Sequence, residues 1–182
     1  MNNDTLPYIM RFSIIFALVI SVISTGLSYY MTTMEPSMTV FIIPSAIFLS
    51  ICLLGGLAGL FVVRSYVKDT EAIVKVGNGA VIGLISGIVI ALTSGIIGIL
   101  WTFIDPTLAE RVMDATINAV DSMGEMDASQ RDAMVDQMMA NDPGKFSTQL
   151  MSMGINAAVL GIVNMITGMI GASIFSKKEE EL

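Results

Sequence analysis

The chain has 182 residues, 54 % of them hydrophobic and only 14 % charged, with a formal net charge of -7 and a mean hydropathy of +0.76; a soluble domain carries about 25 % charged residues. It has one cysteine and no histidine, which excludes an intrachain disulfide, zinc sites of the usual ligand sets, Ser-His triads and Cys-His pairs. No enzymatic activity, cofactor or metal is expected, and nucleic acid is not expected as a partner.

A bilayer core needs about 20 consecutive apolar residues in a helix, and four runs qualify, at approximately 8–30, 39–63, 79–104 and 148–175. They are apolar all round and much longer than the roughly ten-residue alternating strands of a membrane barrel. Backbone groups at that depth must pair within the segment, so the runs are expected to be helices. The expected fold is all-α: a polytopic membrane protein, one membrane domain over 1–182, with four transmembrane helices.

The first run follows "MNNDTLPYIMR", with Asp4 ahead of Arg11. Its apolar core is longer than a signal h-region and lacks an A-x-A site, so it is expected to stay as a span. A short connection with Glu35 leads to the second run, which has Pro44 in its first turns, where proline starts or bends a helix. Farther along lie Cys52, Gly55 and Gly59. The next connection, "VRSYVKDTEAIVKVGNG", is basic.

The third run repeats a small residue at every fourth position: Gly79, Gly83, Gly87, Ala91 and Gly95. Lipid tails are as apolar as leucine, so helices associate in the bilayer by close packing, and small residues let two backbones approach. The fourth run carries a second such face, Gly154, Ala157, Gly161, Asn164, Gly168 and Gly171, with steps of three and four. A spacing of four suits a right-handed crossing and the alternating one a left-handed crossing. The two faces are therefore expected to meet different neighbours, at least in part. No Asp, Glu or Lys lies at mid-depth, which argues against a pump or proton-coupled carrier. The polar exception is Asn164, expected to hydrogen-bond across to another helix.

Between the third and fourth runs lies an acidic segment, 105–147, with nine acids against Arg111, Arg131 and Lys145. Asp105-Pro106 reads as an N-cap and first turn. Leu108, Val112, Met113, Ile117 and Val120 then share one helical face, with Glu110, Asp114, Asn118 and Asp121 opposite. Gly124 reads as the C-cap. A second helix opens at Asp127, with Gln130 three residues on, puts Met134, Val135, Met138 and Met139 on one face, and stops at "NDPG". The segment is thus expected to be an extracytoplasmic amphipathic helical hairpin, resting on the bundle, the membrane surface or a partner. Its methionines, Met123 and Met126 included, invite a copper reading, but an apolar packing face explains them more simply. Glu125, Asp127, Asp132 and Asp136 lack calcium-loop spacing and read as a solvated face.

With four spans, both termini and the second connection share a side that holds Arg11, Arg64, Lys68, Lys75, Lys177 and Lys178, six of the nine basic residues. The positive-inside rule puts that side in the cytoplasm. Tyr29, Tyr30, Trp101 and Phe103 then fall at the outer interface, and Tyr8 and Tyr66 at the inner one.

The order of parts, from about Arg11 to Lys178, resembles a family of four-span bacterial membrane proteins catalogued as a domain of unknown function, number 4199, common in Bacteroidota. The likeness rests on the basic second connection, the glycine-rich third span, the start "FIDPTLAERVMDATINAV" of an acidic outer helix, a second outer helix, a glycine-rich last span and the terminal "KK". It implies an inner-membrane location, supports the span count and carries over no catalytic or ligand residue. The expected role is a non-enzymatic accessory or scaffold subunit whose partners are the lipid bilayer and another membrane protein or a second copy of itself. The alternatives are a small homo-oligomeric channel or uncoupled transporter and, more weakly, an envelope-stress sensor.

Overall fold

The computed structural model describes residues 5–37, 39–122, 127–140 and 144–176, and these are helical or in short connections. Among the described residues, four helical segments are long and apolar enough to cross a membrane. The first is α1 (Leu6–Thr32). The second is built in pieces: α2 (Thr39–Ser50), a π-helical turn (Ile51–Gly55) and α3 (Ala58–Thr70). The third is α4 (Val76–Ile104) and the fourth α7 (Phe146–Phe175), with the shorter α5 (Leu108–Asp121) and α6 (Ala128–Ala140) between them. The second span runs on to Thr70, beyond its expected end near residue 63. Glu71 then ends α3 in the left-handed conformation, at φ 53°.

The chain divides into two compact units. One comprises Met1–Ile20, Ser50–Ser94 and Met153–Leu182. Its interior has two apolar clusters. Ile9, Val62, Val63, Tyr66, Val67, Val74, Ile82 and Ala172 make one; Ala17, Ile20, Ala58, Ile90, Ala91 and Leu160 make the other. Tyr8 meets Tyr66 edge to face at 5.5 Å, and Phe16 packs on Phe61 at 5.8 Å, so aromatic rings join α1 to α3. The Val74 N–H donates to Ser176 Oγ at 2.8 Å, tying the short connection before α4 to the end of α7.

The other unit comprises Ser21–Leu49 and Gly95–Ser152. Its cluster of Met31, Val40, Ile43 and Ala119, with Val112 packed against it, shows what α5 rests on: the ends of α1 and α2 in its own chain. Leu108, Val112, Met113 and Ile117 are half-buried and Val120 buried, while Glu110, Asp114, Asn118 and Asp121 are exposed. α6 touches α5, and Arg131 Nε lies 3.7 Å from Asp121. Met134, Val135 and Met138 are half-buried, but Met139 is 55 % exposed. Met123, Gly124, Glu125, Met126, Asn141, Asp142, Pro143, Lys177 and Lys178 lie outside the described residues.

The two small-residue faces meet each other, and their neighbours differ only in part. A Cβ at Gly83 would fall on the Asn164 carbonyl, one at Gly87 on the Leu160 carbonyl, and one at Gly79 would lie 2.5 Å from the Gly168 carbonyl oxygen. A Cβ at Gly168 would strike Gly79 and Gly83 in return. The third-span face thus lies directly on the fourth-span face. The steps of three and four make the α7 face wide enough to serve α3 as well: Gly171 approaches Leu60 and Val63, and Gly59 approaches Asn164, Thr167 and Gly168. Side chains larger than hydrogen would separate backbones that touch.

Gly83→Ala is expected to destabilise the protein in mild detergent by about 1–3 kcal/mol, the cost of overpacking a closed contact. Gly98→Ala, where nothing lies within 4 Å of the added carbon, is expected to stay within about 0.5 kcal/mol of the parent. Denaturation of the two variants by graded sodium dodecyl sulfate checks the difference.

Candidate functional site

Among the described residues, the buried polar side chains are Thr5, Ser13, Ser86 and Asn164. Ser86 donates to the Ile82 carbonyl one turn back at 2.8 Å, the usual solution for a hydroxyl within a helix. Ser13 Oγ is buried without a partner. Asn164 is different because its amide reaches another span.

The π turn is where that matters. A π turn inserts one residue into the helical ladder and diverts hydrogen bonds from their i to i−4 partners. In an unbroken helix the Gly59 N–H would point to the Gly55 carbonyl; here it donates to Asn164 Oδ1 at 2.7 Å. Asn164 Nδ2 donates in turn to the Leu160 carbonyl at 2.9 Å, so both ends of the amide are used. One turn along α7, Thr167 Oγ1 donates to the Gly56 carbonyl at 2.6 Å, with the Asn164 carbonyl 3.2 Å from the same oxygen. Two side chains of α7 therefore clasp two backbone groups of the broken second span. The glycines make the approach possible: a Cβ at Gly59 would lie 2.5 Å from the Asn164 carbonyl oxygen.

Of the residues expected to pack helices, Gly59, Gly79, Gly83, Gly87, Asn164, Gly168 and Gly171 come together around this clasp. Gly55 faces Leu160 and Ile20, and Gly161 faces Leu84 and Ile88. Ala91 is buried and Ala157 packs at the same cluster. Gly95 is half-buried. Gly154 is exposed, with nothing within 4 Å of a Cβ placed on it, so it takes no part in packing within the chain. Sequence reasoning missed Thr167 and Gly56. The signal was present in "NMIT", which puts the threonine three residues after Asn164, on the same helical face.

A second polar cluster lies in the other unit, just beyond the end of α4. Asp105 does not cap a helix starting at Pro106: α5 begins at Leu108. Its carboxylate closes the turn instead, accepting from the Thr107 N–H at 3.2 Å and hydroxyl at 2.9 Å. The Tyr29 hydroxyl donates to it at 2.7 Å, and Arg111 forms a charge-assisted bond with it. The Arg111 guanidinium also lies over the Tyr29 ring, 5.6 Å from its centroid. Trp101 Nε1 donates to the Tyr29 oxygen at 3.4 Å. The Tyr29 and Thr107 hydrogen bonds, and then the Arg111 charge, hold the Asp105 carboxyl below its ordinary value of 3.8 against the opposing effect of desolvation. This cluster ties α1, the end of α4 and α5 together. Among the described residues, no three Cys, Asp or Glu side chains form a metal-holding group.

Asn164→Leu takes the side-chain acceptor away from the Gly59 N–H, at an expected cost of about 1–3 kcal/mol, read by the same detergent denaturation. Because the Asp105 carboxyl is lowered in the folded state, it adds stability that is complete above the carboxylate range. That stability is lost as pH falls through 3.8 and below. Asp105→Asn is expected to flatten this acid-side loss, measured as melting temperature between pH 6 and pH 3.

A family model described as "Protein of unknown function (DUF4199)" matches residues 11–177. No curated protein and no solved structure matches the chain. The matched region takes in nearly all of the four helices that are apolar enough to cross a membrane; the chain belongs to the DUF4199 family.

Proposed function

We propose that this multi-pass membrane protein is a non-enzymatic accessory or scaffold subunit of the bacterial inner membrane, with both termini in the cytoplasm and α5 and α6 on the outer side. One observation carries the reading: among the described residues, the Asn164 amide and the Thr167 hydroxyl, which reach from α7 to the second span, are occupied in joining helix to helix. A group that turns over a substrate needs a free donor, acceptor or nucleophile aimed at a cleft. Here the amide and the hydroxyl meet backbone.

The orientation rests on the basic residues Arg11, Arg64, Lys68 and Lys75 at the ends of spans, against the acids of 105–147. The mutual approach of Gly79, Gly83, Gly87 and Gly168 leaves no room for a solute along that seam, which favours a scaffold over a channel lined by those glycines. It also narrows the surface offered to partners, because the small-residue faces are largely spent within the chain. What remains is the exposed apolar surface, such as Phe103 and Ile104 at the end of α4, and the acidic face of α5.

Isolation of the full chain from native membranes in a mild detergent tests the proposal. A defined membrane protein is expected to co-purify at fixed stoichiometry and to fall in abundance when this chain is deleted. A lone monomer with no dependent partner overturns it. A cysteine placed at Asp114, in a Cys52→Ala background, is expected to react with an impermeant maleimide from the periplasmic side only; labelling from the cytoplasmic side reverses the orientation.

A further inference from the structure

At α3 the exposed residues Leu57, Phe61, Arg64 and Lys68 follow one another in steps of four, three and four, which puts them in one stripe along the helix. The stripe changes character once. Toward the middle of the span it is apolar, and toward the end at Thr70 it is basic. Among the described residues, neither Arg64 nor Lys68 takes part in an ion pair. Asp69 lies about 100° around the helix from Lys68, and Glu71 comes only after the helix has ended. α7 supplies a second wall from within the same compact unit. Gly171 approaches Leu60 and Val63, and one turn farther Phe175 lies beneath Arg64, whose guanidinium carbon is 5.5 Å from the ring centroid. A guanidinium held over a ring keeps its N–H edge for another partner, and that planar fork fits a phosphate. Ile170, also exposed, lies two turns along α7 from Val163, the residue that meets Gly56 of the second span.

We propose that this seam of α3 and α7 binds one acidic glycerophospholipid. Its phosphate rests on Arg64 and Lys68, and an acyl chain runs down the apolar half of the stripe along Phe61 and Leu57, with Ile170 beside it. A free phosphate ester would use the basic half alone; a lipid uses both halves in the order in which they occur. Two cations without an acidic partner favour a headgroup of net negative charge. A zwitterionic headgroup would bring its own ammonium beside them.

Native mass spectrometry of the full chain in mild detergent tests this, with phosphatidylglycerol or phosphatidylcholine added in equal amounts and the fraction carrying one lipid read for each. Phosphatidylglycerol is expected to bind about fivefold more tightly or better, fivefold being what one cation near a membrane surface contributes. Arg64→Gln plus Lys68→Gln is expected to abolish the preference. Arg11→Gln plus Lys75→Gln, which removes as much charge off the stripe, is expected to retain it. No preference for the acidic lipid in the parent overturns the proposal, and so does an equal loss in both double variants, which is diffuse attraction to positive charge. Displacement of phosphatidylglycerol by an excess of glycerol 3-phosphate overturns it as well, by assigning the site to a soluble phosphate ester. If the Arg64 and Lys68 double variant does not fold, the exposed Lys68→Gln alone replaces it. That single change is expected to lower the preference part of the way, and an unchanged preference overturns the proposal.

Discussion

In hydrocarbon a backbone N–H or C=O without a partner costs several kcal/mol, because no water is present to take its place. A helix escapes this cost only while its ladder is regular. The second span is irregular at its π turn, and the protein meets the constraint from another helix, with the Asn164 amide on the Gly59 N–H and the Thr167 hydroxyl on the Gly56 carbonyl. Much of the surrounding packing can be understood as what brings α7 close enough to do this.

That closeness explains the distribution of glycine. Burial from water does not press helices together in lipid, so dispersion between touching backbones and a few hydrogen bonds must suffice. Gly59, Gly79, Gly83 and Gly168 sit where a single added carbon would meet main-chain atoms of a neighbouring helix. Gly26, Gly77, Gly98 and Gly154 meet nothing there. Glycine is thus used unevenly: where it faces another backbone it sets the interhelical distance, and elsewhere in the spans it has no such role. Polar chemistry in the other unit follows a different logic, since Asp105 lies beyond the end of α4 and gathers Tyr29, Thr107 and Arg111 around a charge.

The span number was legible because hydropathy over about 20 residues is a property of composition alone. The apolar side of α5 was legible for a similar reason: Val112 and Val120 repeat at helical spacing, and the acids fall opposite. Pairing was not legible. The spacings of the third and fourth faces suggested different crossings, yet Gly83 and Asn164 meet, because the wide α7 face serves two helices at once. The π turn left no mark in periodicity, since Ile51 to Leu54 are apolar in every direction and a one-residue shift in such a run changes no pattern. Asp105 misled in a smaller way. Its position before proline suits a helix start, but the carboxylate had a tyrosine from α1 within reach, a contact across 76 positions of chain that local spacing does not carry.

The clasp also has a bearing on biogenesis. Its bonds join residues 105 and 111 positions apart, and the partner that completes them is the last of the four spans to leave the ribosome. Until α7 is made, the Gly79-to-Gly87 face of α4 and the irregular part of the second span lack these contacts. The order of synthesis therefore decides when the second span can be completed, because its missing bonds come from a helix made more than a hundred residues later.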